Sequence, residues 1–333
     1  MNYLQTYSFS TMSSIKRLAF GLILLGTAIS CDDVLEEDIT NDLITVVAPL
    51  DGTVVSGNSV QFLWNSLDGA DDYAVQVYNQ GTVVVDSVVS GPPFTMILNS
   101  DSYQWRVKGQ NFAYETPFSF PQEFEVESSD DLTNQLVSLT SPTADFYTNV
   151  NTLIFNWEPL TNATRYSFNL TRITSAGEAL IYQQDDLTTT SLTLTESTLA
   201  EDAEYRWELR AINDDNATQT DTSSRIFFID TVVPNVPNLL TPGFEEEFLV
   251  DSSIAFTWSY GTDTGTVASA ITSSYEVAQD EGFSTIIISG ETELTSFSEA
   301  FSNPGTYYWR VRGEDLAGNE GGYNLNGKFI VNE

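Results

Sequence analysis

The chain contains no histidine and only one cysteine, Cys31, among its 333 residues. Without histidine, it has no imidazole metal ligand and no catalytic triad with a histidine base. A lone cysteine excludes disulfides within the chain and thiolate zinc sites. Carboxylate chemistry is what remains, and no spacing singles out a catalytic pair among the 47 acidic residues. We therefore predict that the protein is not an enzyme.

Basic residues are also scarce, since 12 Lys and Arg leave a net charge of −35. A chain of this charge repels phosphate backbones, so we predict that nucleic acid is not a partner. Aromatic residues, in contrast, make up 12% of the chain. That share is too high for a disordered acidic protein, and the length predicts two or three folded domains.

The first 30 residues are interpreted as a signal peptide. They contain no acidic residue, a basic pair at Lys16 and Arg17, and an apolar run over residues 18–26. This run is too short to span a bilayer as a stable helix. Translation starts at either Met1 or Met12, because both are followed by this pattern.

Residues 27–30, which are small apart from Ile29, lead directly into Cys31. This arrangement resembles a bacterial lipoprotein signal, although Ala28 stands where that family usually has leucine. The resemblance implies that Cys31 is acylated, becomes the first residue of the mature protein and attaches it to a membrane. An ordinary signal peptide followed by an incidental cysteine is the alternative.

Residues 31–43 are strongly acidic, with five acids in the seven positions from Asp32 to Asp38. Such a run is predicted to remain a solvated tether. In outline it is similar to the signals that send lipoproteins of Bacteroidota-type bacteria to the outer face of the outer membrane. The similarity implies a lipid-anchored outer-membrane protein that faces the cell exterior, and a plain charged spacer is the alternative.

From residue 44 onward the six tryptophans form three pairs. The first member of each pair ends a Phe-x-Trp strand: Trp64, Trp157 and Trp258. The second member lies in a Tyr-x-Trp strand: Trp105, Trp207 and Trp309. These second tryptophans are spaced 102 residues apart, and a proline precedes each first tryptophan by 15 or 16 residues. A repeat of this length predicts tandem domains of immunoglobulin-like size.

The repeated order of Pro, Phe-x-Trp and Tyr-x-Trp resembles the fibronectin type III family, with the fullest match at Tyr307–Asn319. The resemblance implies an all-β chain of three tandem fibronectin type III or immunoglobulin-like β-sandwiches. It also implies that the tryptophans are core residues and that the tyrosine before each second tryptophan occupies a tyrosine corner. The resemblance says little about activity, because this fold serves adhesion, spacing and ligand binding alike.

Breaks in composition predict domains at 44–127, 136–230 and 234–333. The proline-containing break before the third domain is predicted to be stiff, and the polar break before the second looser. Period-2 alternation places six basic residues on outer sheet faces: Arg106, Lys108, Arg206, Arg210, Arg310 and Arg312. We expect them to pair with acids such as Glu208 and Glu276, and a cationic ligand-binding stripe is the alternative.

Calcium is the one cofactor that the sequence leaves open, because carboxylate and carbonyl oxygens are its ligands. The candidate ligands follow the Tyr-x-Trp strand of the second and third copies: Asp214, Asp215, Asp315 and Asn319. They are also ordinary turn residues, and the sequence has no EF-hand loop.

A glycan site would need exposed aromatic rings beside polar groups. The loop after the Tyr-x-Trp strand of the first copy supplies Phe112 and Tyr114. The third copy has eight extra residues between Trp258 and Tyr275, and this enlarged loop supplies Tyr260. Loops on a rigid scaffold often carry binding residues. Aromatics that cap the core and a neutral insertion are the alternatives.

These observations predict a non-enzymatic cell-surface lipoprotein that acts as a binding, adhesion or spacer module with a glycan or protein partner. One alternative is an accessory glycan-binding lipoprotein of an outer-membrane polysaccharide-uptake system. Another is a structural subunit of an envelope complex.

Overall fold

The computed structural model describes residues 36–262 and 265–333, and every regular element within these ranges is a β-strand. The predicted signal peptide and Cys31 lie outside the described residues. Within the described ranges, no helix has the length and apolar character that crossing a membrane requires.

The described strands fall into three successive groups. The first contains β1 Val46–Ala48, β2 Thr53–Ser56, β3 Ser59–Trp64, β4 Asp72–Asn79, β5 Thr82–Val89, β6 Phe94–Ile97, β7 Asp101–Gln110 and β8 Gln122–Glu127. The second contains β9 Leu139–Ser141, β10 Phe146–Thr148, β11 Leu153–Trp157, β12 Arg165–Thr174, β13 Gly177–Leu187, β14 Ser191–Leu194, β15 Ala203–Asn213, β16 Thr218–Gln219 and β17 Ser223–Ile229. The third contains β18 Asn238–Thr241, β19 Glu246–Leu249, β20 Ser253–Ser259, β21 Ile271–Ala278, β22 Ile286–Thr292, β23 Ser296–Ala300, β24 Gly305–Asp315 and β25 Asn324–Asn332.

Each group forms a sandwich of a three-stranded sheet and a larger one. In the first sandwich the strand orders are β1-β3-β6 and β2-β8-β7-β4-β5. The second has β14-β11-β9 and β10-β17-β15-β12-β13, with β16 paired to β15, and the third has β18-β20-β23 and β19-β25-β24-β21-β22. The chain is therefore all-β and forms three tandem fibronectin type III-like sandwiches with one shared strand order, which confirms the predicted fold class.

The chain changes sheets at the repeated proline. Pro49, Pro142 and Pro242 each follow the first strand of their sandwich, and each is preceded by a cis peptide bond. The next strand pairs in parallel with the last strand of the same sandwich, in the other sheet. Proline thus lies at a sheet edge, where its missing N–H group breaks no ladder.

The cores of the sandwiches contain all six tryptophans, which are at most 3% exposed. In each core a phenylalanine ring meets the second tryptophan at a steep angle, with centroid distances of 5.0–5.2 Å: Phe62–Trp105, Phe155–Trp207 and Phe256–Trp309. Aromatic rings prefer such tilted contacts to face-to-face stacking. The predicted core positions of the tryptophans are confirmed.

A tyrosine corner closes each sandwich. The hydroxyl groups of Tyr103, Tyr205 and Tyr307 donate to the backbone carbonyl four residues upstream, at 2.9, 2.6 and 2.8 Å. The predicted corner positions are therefore confirmed in all three copies.

Candidate functional site

An asparagine in the loop after β7 holds the segment that leads into the first sandwich. Asn111 Nδ2 donates to the carbonyl oxygens of Glu37 at 2.9 Å and Gly69 at 2.7 Å. Asn111 Oδ1 accepts hydrogen bonds from the backbone N–H groups of Ala113 and Tyr114. One side chain therefore shapes the loop and also fixes the incoming segment.

The same contact recurs in the other two sandwiches. Asn213 Nδ2 donates to the carbonyl oxygen of Asp130 at 3.1 Å, and Asn319 Nδ2 donates to that of Asp230 at 2.8 Å. We call these two contacts and the Asn111–Glu37 contact the asparagine clasps. Their carbonyl groups stand 27, 27 and 28 residues before the first tryptophan of the following sandwich. The clasps are thus a repeated device that attaches each sandwich to the segment before it.

The described part of the acidic segment, residues 36–43, is docked on the first sandwich. Ile39 is completely buried, as is Leu132, which occupies the corresponding place before the second sandwich. The expectation of a solvated tether is therefore wrong for this part of residues 31–43. The physical reason is that the segment carries one apolar side chain, Ile39, whose burial favours the docked arrangement, and that the clasp binds the Glu37 carbonyl.

The polar break before the second sandwich is held more firmly than its composition predicts. Asn58 and Leu136 exchange two hydrogen bonds, from Asn58 Nδ2 to the Leu136 carbonyl at 2.8 Å and from the Leu136 N–H to Asn58 Oδ1 at 3.1 Å. Asn162 Nδ2 also donates to the Asp130 carboxylate at 2.7 Å. Side-chain amides from both sandwiches therefore bind the break that was predicted to be the looser one.

The enlarged loop of the third sandwich contacts the second sandwich. Thr266 Oγ1 donates to the Asp202 carbonyl at 2.7 Å, and the adjacent Val267 is buried. The Asp202 carboxylate in turn accepts hydrogen bonds from Thr231 N–H and Oγ1 at 2.9 and 3.0 Å. Residues 265–268 of the insertion therefore lie at a joint between domains.

Tyr260 begins the same loop but packs against the third core. Its hydroxyl shares a hydrogen bond of 2.8 Å with Ser273 Oγ, and burial raises the pKa of this tyrosine. Phe112 and Tyr114 lie together in the first sandwich, where Phe112 is 94% exposed and Tyr114 39% exposed. Of the three predicted glycan-binding residues, the structure thus brings two together and places the third elsewhere.

The candidate calcium ligands take part in other contacts. The Asp214 carboxylate pairs with the Arg165 guanidinium at 2.9 Å, and a hydrogen bond from Arg165 is the main cause of the lowered pKa of Asp214. Asp315 accepts hydrogen bonds from the N–H and Nδ2 groups of Asn319, both at 2.9 Å. The Asp215 N–H bonds to Asn213 Oδ1. In the described ranges, no group of three or more His, Cys, Asp or Glu has the arrangement of a metal site.

The predicted pairing of the outward-facing basic residues with acids is confirmed for Arg310 and Glu276, which are cross-strand neighbours. The Arg310 guanidinium also lies 4.1 Å from the ring centroids of both Phe283 and Tyr323. Other pairs on these faces are Lys108–Glu115, Arg206–Glu178 and Arg312–Glu320. Arg106 instead bonds to Gln76 and Arg210 to Thr222.

Clefts lie apart from the predicted aromatic site residues. One of about 590 Å³ runs along the first sandwich and is bordered by Tyr78, Gln104 and Glu123. Another, of about 540 Å³, lies where the first two sandwiches meet and is lined by polar side chains that include Asn58, Asn99 and Gln135. Neither is lined by Phe112, Tyr114 or Tyr260.

No family model and no curated protein matches the chain. Among solved structures, the crystal structure of the chicken CNTN1 FN1-FN3 domains is similar at 14% sequence identity and a TM-score of 0.33, covering 87% of this chain and 98% of that one. The fold assignment rests on the strand order of the three sandwiches.

Proposed function

We propose that the chain is a non-enzymatic, lipid-anchored protein of the cell surface, in which three sandwiches act as a spacer with a binding or adhesion surface. The observation that carries this proposal is the asparagine clasp, which each sandwich makes to the segment leading into it. Domains joined through such contacts transmit their position from one end of the chain to the other, whereas flexibly linked domains do not.

The spacer can be tested with two spin labels on different sandwiches. Val84 and Leu294 are exposed, on the first and third sandwich respectively. Both are replaced by cysteine in a Cys31→Ser chain, which has no other cysteine. We expect a narrow distribution of label-to-label distances. A distribution as broad as that of a flexible chain would overturn the spacer.

The lipid anchor rests on Cys31 and the segment before it. Because a thioether-linked lipid needs that sulfur, Cys31→Ser should release the protein from the membrane fraction and abolish labelling by a fatty-acid probe. Protease treatment of intact cells then tests the orientation, and we expect cleavage if the protein faces the cell exterior. Unchanged membrane retention of the Cys31→Ser chain would contradict the anchor, and full protection would contradict the outward orientation.

Glycan binding is a second candidate function, favoured by the exposure of Phe112 and Tyr114 on one loop. The net charge of −35 favours a neutral or cationic partner over a polyanion. The test is a screen of the Cys31→Ser chain against neutral and anionic polysaccharides, with Phe112→Ala and Tyr114→Ala beside it. Binding that survives both substitutions would exclude this loop as the site.

A further inference from the structure

We propose that the loop of Phe112 and Tyr114 contacts the lipid surface beside the anchor. This inference rests on the proposed acylation of Cys31 and adds a second membrane contact to it. Three observations support it: the exposure of the ring, the clasp next to it, and the short chain between that clasp and Cys31.

Phe112 has the highest exposure of the large apolar side chains that the structure describes, at 94%. The loop that carries this exposed ring is ordered by hydrogen bonds. The Asn111 N–H donates to the Tyr114 carbonyl at 2.9 Å, and Asn111 Oδ1 accepts from the N–H groups of Ala113 and Tyr114 at 3.1 and 2.8 Å. The loop is therefore a closed turn that presents the ring to its surroundings, so little ordering is needed for it to bind.

The clasp places this loop close to the lipid. Asn111 bonds directly to the Glu37 carbonyl, and Glu37 stands six residues after Cys31. Six residues span at most about 22 Å whatever their conformation, because an extended chain rises at most about 3.3–3.6 Å per residue. The acylated Cys31 lies at the membrane surface by its chemistry. Phe112, adjacent to Asn111, is thereby confined to the neighbourhood of the headgroups.

Charge indicates which lipids the loop would contact. The incoming segment brings Glu36, Glu37 and Asp38 to this end of the sandwich, and Lys108 nearby is paired with Glu115. An anionic surface would repel these carboxylates. A zwitterionic surface would accept the phenylalanine ring, with the half-exposed tyrosine at the interface, where aromatic side chains are enriched. The occupant is therefore a zwitterionic lipid surface.

The hydrogen bonds of Asn111 favour a membrane over a glycan at this loop. A sugar that stacks on an aromatic ring needs amides or hydroxyls beside the ring to bind its own hydroxyl groups. Asn111 is the amide next to Phe112, and both of its Nδ2 protons and both acceptor positions of its Oδ1 are already engaged. A lipid surface can contact the phenylalanine ring without free amides or hydroxyls beside it.

The experiment uses the acylated chain in phosphatidylcholine vesicles. Because the lipid occupies the Cys31 sulfur, Phe112→Cys creates a unique thiol for an environment-sensitive fluorophore. Phe244→Cys is the matched control, since Phe244 is a 70% exposed phenylalanine in the third sandwich. We expect the label at 112 to shift to the blue and to be quenched several-fold more by spin-labelled lipids than the label at 244. Adding Asn111→Ala should weaken the quenching by releasing the clasp.

A second arm replaces part of the phosphatidylcholine with phosphatidylglycerol. Quenching at position 112 should fall at low salt and recover as salt screens the carboxylates. If the vesicles retain the chain and both labels stay equally exposed to water, the loop does not contact lipid, although the anchor stands. Failure of the acylated chain to bind vesicles would overturn the anchor and this inference with it. Protection of the label by a neutral polysaccharide, without quenching by lipid, would assign the loop to a glycan instead.

Discussion

The side-chain amide of Asn319 links the third sandwich to the second at two points. Its Nδ2 group donates to the Asp230 carbonyl at 2.8 Å, and its Oδ1 accepts from Asn149 Nδ2 at 3.2 Å. The Asp315 carboxylate holds this amide in place from within the third sandwich. One buried asparagine therefore supplies two hydrogen bonds between these domains, beside the contact of Thr266 with the Asp202 carbonyl.

Asn319→Ala should loosen this joint. The substitution removes the hydrogen bonds to Asp230 and Asn149, each worth about 1 kcal/mol. In the Cys31→Ser chain, we expect a broader distance distribution between spin labels at Leu180→Cys and Leu294→Cys, which are exposed positions on the two sandwiches. Asn79→Ala is the control, because the Asn79 amide bonds to the Ser102 carbonyl within the first sandwich. An unchanged distribution in the Asn319 variant would show that other contacts hold the joint.

Trp207→Ala should unfold the second sandwich and leave the first and third folded. Trp207 is fully buried and contacts Phe155 and Phe168. Removing a buried tryptophan costs about 3–5 kcal/mol, a large part of the stability of one domain. Hydrogen exchange read by mass spectrometry should show loss of protection confined to residues 139–229. Phe244→Ala, at an exposed site, should leave hydrogen exchange unchanged. If Trp207→Ala also leaves hydrogen exchange unchanged, the assignment of Trp207 to the core is wrong.

Arg310→Lys should destabilise the third sandwich by about 1–2 kcal/mol. A lysine ammonium keeps the charge opposite Glu276, but it lacks the planar guanidinium that contacts the rings of both Phe283 and Tyr323. Urea unfolding of the full chain provides the measurement. Arg210→Lys is the control, since the Arg210 Nε group bonds only to Thr222 in the described structure. Equal midpoints for the two variants would show that stacking contributes nothing.

Asp280→Asn should destabilise the third sandwich at neutral pH and lose this effect in acid. Hydrogen bonds from Ser284, followed by those from Thr285, hold the pKa of Asp280 below its ordinary value of 3.8. A carboxylate whose pKa is lowered by folding stabilises the protein above the unfolded value, and this contribution disappears as pH falls through the lower, folded pKa.

Urea midpoints of the wild type and the Asp280→Asn chain should therefore differ above about pH 4 and converge well below the ordinary value of 3.8. The exposed Asp221→Asn controls for the change in net charge, because its carboxylate makes no hydrogen bond in the described part of the chain. A difference that persists undiminished at low pH would contradict the role of the ionised carboxylate.

The core and the corners could be predicted because they depend on contacts that repeat with a fixed local period. A strand turns alternate side chains to opposite faces, so the spacing of Tyr205, Trp207 and Leu209 predicts that all three point inward, and all three are buried. The repeat of 102 residues then extends the same pattern to the other copies.

The clasps could not be predicted in this way. Each joins an asparagine side chain to a backbone carbonyl 74 to 89 residues away, and a backbone carbonyl carries no signature of its own in a sequence. The spacing of the asparagines also differs, since Asn111 and Asn213 lie six residues after the second tryptophan and Asn319 ten. A comparison of the three loops would have shown an asparagine in each, but not its partner.

Composition was a poor guide to residues 36–43, because it averages over side chains that behave differently. The acidic residues there favour solvation, yet Ile39 is buried and the Glu37 carbonyl is bound. The number of sandwiches, their core residues and the residue types that the chain lacks follow from local periodicity and composition, so they could be predicted before folding was considered. The joints between the sandwiches and the position of Phe112 depend on which distant groups meet in the folded chain, so only the three-dimensional structure shows them.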